Sequence, residues 1–495
     1  MTATSDRTSF FRGAALAVAL QWSLRLVGLV SVVILARLLS PADFGIAGLA
    51  AAALAFVELL GMVGLRQALL RIEKPERADL DTAFTIQLIL FTGMALAGLA
   101  SAPLIARLYD EPALGAVIAA LSCRYVLLGL VNIGIVDFDR KLDFGRDLRM
   151  RLSSRLLAFA VTLAAALILR SYWALVIGLI CQSGFHSAAS WLAHPYRPRL
   201  SLERRSALLG VSLWMFLNTI AQTVQQQVER LALGRFGSAH LLGLYSVSKD
   251  LSDIFTQEIA TALNRVTFVA VARTNRPLDH SPERVPLLLG AYAMIAAPMG
   301  FGLAATSEDS IALLLGSQWS EAAPILELVA IYSAFFAVYR MITSALQASG
   351  EARLAAGLSS ASAILLIVSI GLVSLIRPEV MALAWTALVA NGAVLLAGLA
   401  VLAGVSRTSR ADLLSALLRP FAAAAAMLVA VRAAAPESGI ALVDLTGALV
   451  IGGVVFPLCL FGLWLSLGRP RGAESESLNM AGAMLRRTWP RASQG

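Results

Sequence analysis

The sequence predicts an all-α polytopic membrane protein of about fourteen transmembrane helices, arranged as two six-helix pseudo-repeats with an appended C-terminal pair. Three observations carry that prediction. Hydrophobic residues make up 58% of the 495 positions and charged residues 14%, with a mean hydropathy of +0.77. The apolar residues fall in runs of about twenty, long enough to cross a bilayer core at about 1.5 Å per residue. The basic residues gather on alternate loops. A soluble globule, with its usual apolar share of about 45–50%, could not hide so much apolar surface. The same composition excludes disorder, a collagen-like fibre and a disulfide scaffold.

The first series of spans falls at about 14–36, 45–65, 83–106, 113–136, 152–170 and 172–192. The second falls at about 207–231, 240–263, 285–305, 322–347, 352–376 and 379–404, and the appended pair at about 412–432 and 440–467. Arg7 and Arg12 precede the first run, which contains Arg25, continues to about Leu39 and shows no convincing cleavage site, so it reads as an uncleaved span. Ser40-Pro41 supplies an N-cap and a first-turn proline for the second helix. The run 240–263 is the most polar, holding Lys249, Asp250, Asp253, Gln257 and Glu258. These spans divide the chain into an N-terminal half 1–206, a C-terminal half 207–406, the helix pair 407–468 and a basic tail 469–495.

With the N-terminus cytoplasmic, the inward segments hold about 29 of the 40 Lys and Arg and the outward loops six. That asymmetry places both termini in the cytoplasm and makes the net charge of +9 a topology signal, so no nucleic-acid partner is needed to explain it. Cys123, Cys181 and Cys459 lie far apart in apolar runs, and His186, His194, His240 and His280 show no metal-ligand spacing. No disulfide, metal or other cofactor is expected. No outward loop is large enough for a catalytic domain, so the chain reads as non-enzymatic.

The segment Leu35–Ile46 recurs weakly as Leu233–Leu244 at an offset of 198, matching Arg37 to Arg235, Ser40 to Ser238 and Gly45 to Gly243. Leu152-Ser-Ser154 and Leu358-Ser-Ser360 match further on at an offset of 206. Six spans per repeat is an even number, so the two halves run the same way about an axis along the membrane normal.

The motif ILARLLSPADFGIAGLA, followed by GLRQALLR, IARLYDEPAL, FDRKLDFGRDL, LGRFGSAHLLGLYS and LLGSQWSEAAPILELVA, resembles the polysaccharide (Wzx-type) flippases of the multidrug/oligosaccharidyl-lipid/polysaccharide exporter superfamily. The resemblance spans about Arg37 to Gly350. It implies V-shaped helix bundles in a bacterial inner membrane. By alternating access they would carry undecaprenyl-diphosphate-linked oligosaccharide from the cytoplasmic to the periplasmic leaflet, for O-antigen, capsule or exopolysaccharide assembly. A peptidoglycan-precursor flippase and a multidrug exporter of the same superfamily are the rival readings. A membrane glycosyltransferase or polymerase is disfavoured by the short outward loops.

Polar residues inside spans are the candidate substrate contacts, because an intramembrane charge costs about 2.5–3.5 kcal/mol on insertion scales and faces protein or water. Arg25 shares a face of the first helix with Gln21 and Gly28; it serves either as a diphosphate donor or as a structural partner of Glu58. Helix seven carries Asn218, Gln222, Gln225, Gln226 and Glu229 on one stripe, suited to sugar hydroxyls or to interhelical packing. Helix eight carries Lys249, Asp253, Thr256 and Gln257 on one face, where Lys249 meets phosphate or pairs with Asp253. Arg124 and Arg340 are further cations, more structural than ligand-binding in expectation, and Arg230 can snorkel. Glu58, Asp250 and Asp253 are candidates for H⁺ or Na⁺ coupling. Five cations (Arg25, Arg124, Arg230, Lys249, Arg340) face five acids (Glu58, Glu229, Asp250, Asp253, Glu258), so the sign of the interior depends on which of them face inward.

Overall fold

The computed structural model describes residues 23–61, 65–72, 75–141, 143–205, 213–273, 284–377, 379–436, 438–468 and 472–476. Gln21 lies outside the described residues, as do the side chains of Gln257 and Glu258. The described residues form helices and no strand, and eleven helices are long and apolar enough to cross a membrane. In chain order the long helices are α1 (23–38), α2 (Pro41–Glu58), α3 (Arg77–Leu108), α4 (Pro112–Gly129), α5 (Phe144–Leu169), α6 (Trp173–Ala193) and α7 (Leu213–Phe236). They continue with α8 (Ala239–Arg273), α9 (Arg284–Ala305), α10 (Ala323–Ala348), α11 (Ala352–Ile376), α12 (Val380–Ser406), α13 (Arg410–Ala434) and α14 (Ala441–Ser466). The eleven are α2–α6 and α9–α14; α1, α7 and α8 lie where spans are predicted but are not among them. For α7 and α8 the reason is the amides and charges that the sequence also shows.

Two compact units emerge, Met1–Ser246 and Val247–Gly495. In the first, the Ser40-Pro41 start of α2 is a full capping box: the Ser40 hydroxyl accepts the Asp43 N–H, and the Asp43 carboxylate accepts the Ser40 N–H at 3.0 Å. The other Asp43 oxygen accepts the Tyr172 N–H at 2.8 Å, tying the α1–α2 corner to the α5–α6 corner. Small residues bring the neighbouring helices close. A methyl group at Gly98 would meet Ser122 Oγ of α4 at 2.2 Å, and one at Gly178 would meet Thr162 Oγ1 of α5 at 2.1 Å.

The closest approach joins the two sequence-matched glycines. A methyl group at Gly45 would lie 1.8 Å from the Ala239 carbonyl oxygen, and one at Gly243 would lie 1.7 Å from the Pro41 carbonyl oxygen. Pro41 and Ala239 are themselves related by the offset of 198. Only residues without a Cβ allow the backbones of α2 and α8 to meet in this way.

α4 ends at Gly129, short of the predicted 136, and gives way to a turn and the short helix Val136–Arg140. Asn132 makes the break. Its N–H donates to Ser190 Oγ, its amide nitrogen to the Tyr196 carbonyl, and its amide oxygen accepts the Gly134 N–H. The chain after α6 is then strapped across the start of α3. Asp81 accepts the Tyr196 hydroxyl and the Arg199 N–H, Thr85 Oγ1 accepts the Ser201 N–H at 2.9 Å, and Arg204 pairs with Glu76 at 3.0 Å. Burial holds the His194 imidazole below its ordinary pKa, with Asp137 opposing.

In the second unit α10 is the central helix, with Ile325, Leu326, Val329, Ala330, Ala337 and Val338 at 1% exposure or less. Tyr292, Phe336, Tyr339, Leu402, Leu413 and Phe421 complete a core drawn from α9, α10, α12 and α13. The segment 472–476 returns to this bundle. Glu474, 1% exposed, stands 3.3 Å from the Nε of Arg419, itself 5% exposed, and a methyl group at Gly290 of α9 would touch Ala473 at 3.4 Å.

Candidate functional site

The candidate residues of the first unit fall in three places. Glu58, near the end of α2, accepts Arg124 Nη2 at 3.0 Å and the Tyr125 hydroxyl at 3.1 Å. The acid placed by depth beside Arg25 is therefore engaged from α4. The contact ties α2 to α4. An ion pair inside the membrane is costly to break from one side only. Glu58→Ala is accordingly expected to lower the melting temperature of the purified protein, and Glu58→Ala with Arg124→Ala to recover part of the loss. Additive losses in the double variant would argue against the pair.

The α7 stripe divides when packed. Asn218, Gln225 and Glu229 are buried, at 5%, 4% and 2% exposure, Gln222 is half-buried and Gln226 is exposed. The side-chain oxygens of Asn218 and Gln227 are sealed from solvent with no hydrogen-bond partner among the described residues. A buried amide oxygen left in that state costs about 1–3 kcal/mol, so each such group marks a place where another donor belongs. Gln227 is not a residue that the sequence reading names, because it lies off the stripe by the helical repeat.

Arg25, on α1, is half-buried. One turn further along, Gly28 leaves a notch, and a methyl group there would meet Nη2 of Arg155 at 3.1 Å. Arg155 is absent from the five cations read out of the sequence. The signal was available in principle: Asp143 accepts the Arg146 N–H and starts α5 at Phe144, which carries position 155 well inside the helix.

In the second unit, the Lys249 ammonium of α8 is inserted into a socket on α10. Nζ lies 3.0 Å from Asp253 Oδ1, 3.5 Å from Ser333 Oγ, 5.0 Å from the Tyr332 ring centre and 5.9 Å from that of Phe336. The lysine side chain is 6% exposed and that of Asp253 36%. The pairing of positions four apart is thus present, reinforced by two aromatic faces. Thr256 is buried on the same face, donating to the Ser252 carbonyl, whereas Asp250 is exposed. Arg340, on α10, is half-buried.

The first unit by itself can hold an anion on guanidinium groups and exchange hydrogen bonds with hydroxyls through amides, and the second by itself sets a carboxylate against a buried ammonium. A family model described as "Polysaccharide biosynthesis protein" matches residues 34–324. The chain is 27% identical to the succinoglycan biosynthesis transport protein ExoT of Rhizobium meliloti, over 61% of this chain and 62% of that protein, so it spans just under two thirds of that relative's length. It is 22% identical to the lipopolysaccharide biosynthesis protein WzxC of Escherichia coli over 66% of this chain and 67% of that one. It is 21% identical to the teichuronic acid biosynthesis protein TuaB of Bacillus subtilis over 75% and 78%. Among solved structures, the lipid II flippase MurJ in an inward closed conformation aligns with a TM-score of 0.72 at 14% identity, covering 92% of this chain and 99% of that one. An inward-facing multidrug resistance MATE family transporter aligns with a TM-score of 0.56 at 16% identity, covering 80% and 99%. At those identities the likeness to MurJ and to the MATE transporter is one of fold.

Proposed function

The chain belongs to the polysaccharide biosynthesis protein family, and from that premise we propose that it is a non-enzymatic flippase for lipid-linked oligosaccharide. The substrate would be a polyprenyl diphosphate, undecaprenyl in a bacterial inner membrane, moved from the cytoplasmic to the outer leaflet with both chain termini cytoplasmic. The observation that carries the reading is that the matched stretch 34–324 contains the amides Asn218 and Gln222 and the cations Arg124, Arg230 and Lys249, with Arg25 and Arg340 just outside its two ends. Sugar hydroxyls exchange hydrogen bonds with amides, and a diphosphate is drawn to guanidinium or ammonium groups, more strongly where the dielectric is low. The prenyl tail stays in lipid.

Coupling to H⁺ or Na⁺ falls to Asp253 in this reading. Its protonation would leave the buried Lys249 ammonium without its carboxylate, so the two charge states favour different packings of α8 on α10. Glu58 already serves Arg124 and Tyr125, and Asp250 is exposed, which makes both weaker candidates. The likeness to MurJ favours one alternative, a lipid II substrate, on grounds of fold. The family match favours polysaccharide precursors.

The test is complementation of a strain deficient in polysaccharide export, with membrane abundance measured alongside. The wild-type chain should restore polymer. Arg25→Ala should abolish export at normal abundance and Arg25→Lys should restore part of it. Reporter fusions at Asp43, Asp110 and Gln318 should read periplasmic and one at Asp147 cytoplasmic. Full export by abundant Arg25→Ala protein would remove Arg25 from the mechanism, and rescue of a lipid II flippase deficiency alone would replace the substrate.

A further inference from the structure

Arg155 lies within a helix of spanning length, is half-buried, and has neither a hydrogen bond nor an ion pair among the described residues. The contrast within the molecule is direct. Arg151, one turn earlier on α5, is held by Asp147 at 2.7 Å; Arg124 is held by Glu58 and Lys249 by Asp253. A guanidinium at membrane depth without such a partner faces protein or water for a reason, and a functional role is its default reading.

Its position supplies the reason. The Asp43–Tyr172 hydrogen bond sets the ends of α1 and α5 side by side, so depths can be counted from that corner. At 1.5 Å per residue, Gly28 is about 15 Å below it, Arg25 about 20 Å and the Arg155 backbone about 21 Å. Arg25 and the Arg155 backbone therefore stand at about one level, with Gly28 roughly a turn above them. The Arg155 guanidinium reaches up into the notch that Gly28 leaves, with Nη2 at 3.1 Å from where a methyl group would be. Positions 25 and 28 share a face of α1, so the Arg155 guanidinium is seated against the helix face that carries Arg25. Like charges presented to one helix face at one level are stabilised by an anion with several acceptor oxygens, for which the planar guanidinium fork is the matching donor.

We propose that Arg155, seated in the Gly28 notch, is the second guanidinium of a phosphoryl-anion site with Arg25, and that the site takes the diphosphate of the lipid-linked substrate. The inference rests on the flippase reading and adds to it a binding residue on α5. The same chemistry would accept the phosphodiester of an ordinary phospholipid, so the test separates the two sources.

Full-length protein in detergent is titrated with farnesyl diphosphate, with farnesol and with dioleoylphosphatidylglycerol. Wild-type protein is expected to bind farnesyl diphosphate at least about tenfold more tightly than either of the others. Arg155→Gln is expected to weaken farnesyl diphosphate binding by about ten- to a hundredfold, the range for a hydrogen bond to a charged group, and to leave farnesol binding unchanged. Arg155→Lys should fall between. Gly28→Val keeps both arginines but fills the notch, and should weaken the diphosphate alone; it carries the test if Arg155→Gln does not fold. Unchanged diphosphate binding in Arg155→Gln and Gly28→Val overturns the proposal, as does an equal loss for farnesol, which would mean packing. Equal wild-type affinity for phosphatidylglycerol assigns the site to phospholipid and overturns it too. Each of these results leaves the flippase reading standing, because export by the wild-type chain is scored separately in the complementation strain.

Discussion

Gly45→Val protein is expected to fail to accumulate in the membrane, and Gly45→Ala to lose about 3 kcal/mol or more, beyond the usual 1–3 kcal/mol of overpacking. The added carbon would sit 1.8 Å from the Ala239 carbonyl oxygen, which is backbone and cannot rotate aside. Gly243→Ala meets the Pro41 carbonyl at 1.7 Å and should cost about as much as Gly45→Ala. Because both changes force open one joint, the double variant should lose less than the sum. Gly93→Ala is the control: nothing stands within 4 Å of its added carbon, and helix propensity favours alanine there by about 1 kcal/mol. Melting midpoints of the purified variants decide the matter. A Gly45→Ala midpoint equal to wild type would mean that the two helix starts do not meet in this way.

The second large effect is expected at Arg419→Ala, at about 3–5 kcal/mol, the range for removing one member of a buried ion pair. Glu474 is 1% exposed and would keep its charge with no cation beside it. The chain then relieves itself most cheaply by releasing 472–476. Limited proteolysis should therefore cut the C-terminal segment of Arg419→Ala protein well before that of wild type. Arg419→Met with Glu474→Leu should restore much of the protection, since well-packed apolar pairs often replace buried charges at little cost. Equal protease resistance in Arg419→Ala would show that the pair does not hold the segment.

Much of this architecture can be read in the sequence, because a bilayer imposes length and apolarity directly on each span. Ser40-Pro41 announces the start of α2, and the capping box follows from local chemistry alone. Lys249 and Asp253 are four apart on one helix, so their pairing is local too; the Tyr332, Ser333 and Phe336 wall is not, since it comes from a helix some eighty residues away. The early end of α4 escaped for the same reason. Asn132 sits in an apolar stretch, and its partners Ser190 and Tyr196 are about sixty residues further on. Depth along the membrane ranks which charges lie at one level but not which neighbours meet, so Glu58 was matched by depth to Arg25 while Arg124 is the group that reaches it. The span 152–170 holds Arg155 only three residues inside its edge, where a cation reads with the loop charges; the cap at Asp143 starts α5 about two turns earlier and carries that position deeper into the helix.

The meeting of Gly45 with Gly243 has the form of a symmetric dimer interface, in which each residue touches the counterpart of the residue that touches it. In a true dimer every substitution appears on both sides at once. Here both sides lie in one chain and can be changed separately, and their flanking residues differ. Pro41 stands opposite Ala239 in the alignment, Asp43 opposite Leu241 and Phe44 opposite Leu242. Asp43 uses that liberty: its carboxylate holds the Tyr172 N–H, a bond that Leu241 has no oxygen to make. The asymmetry of the two corners therefore rests on one carboxylate, whereas the glycines are each constrained by the other helix's backbone.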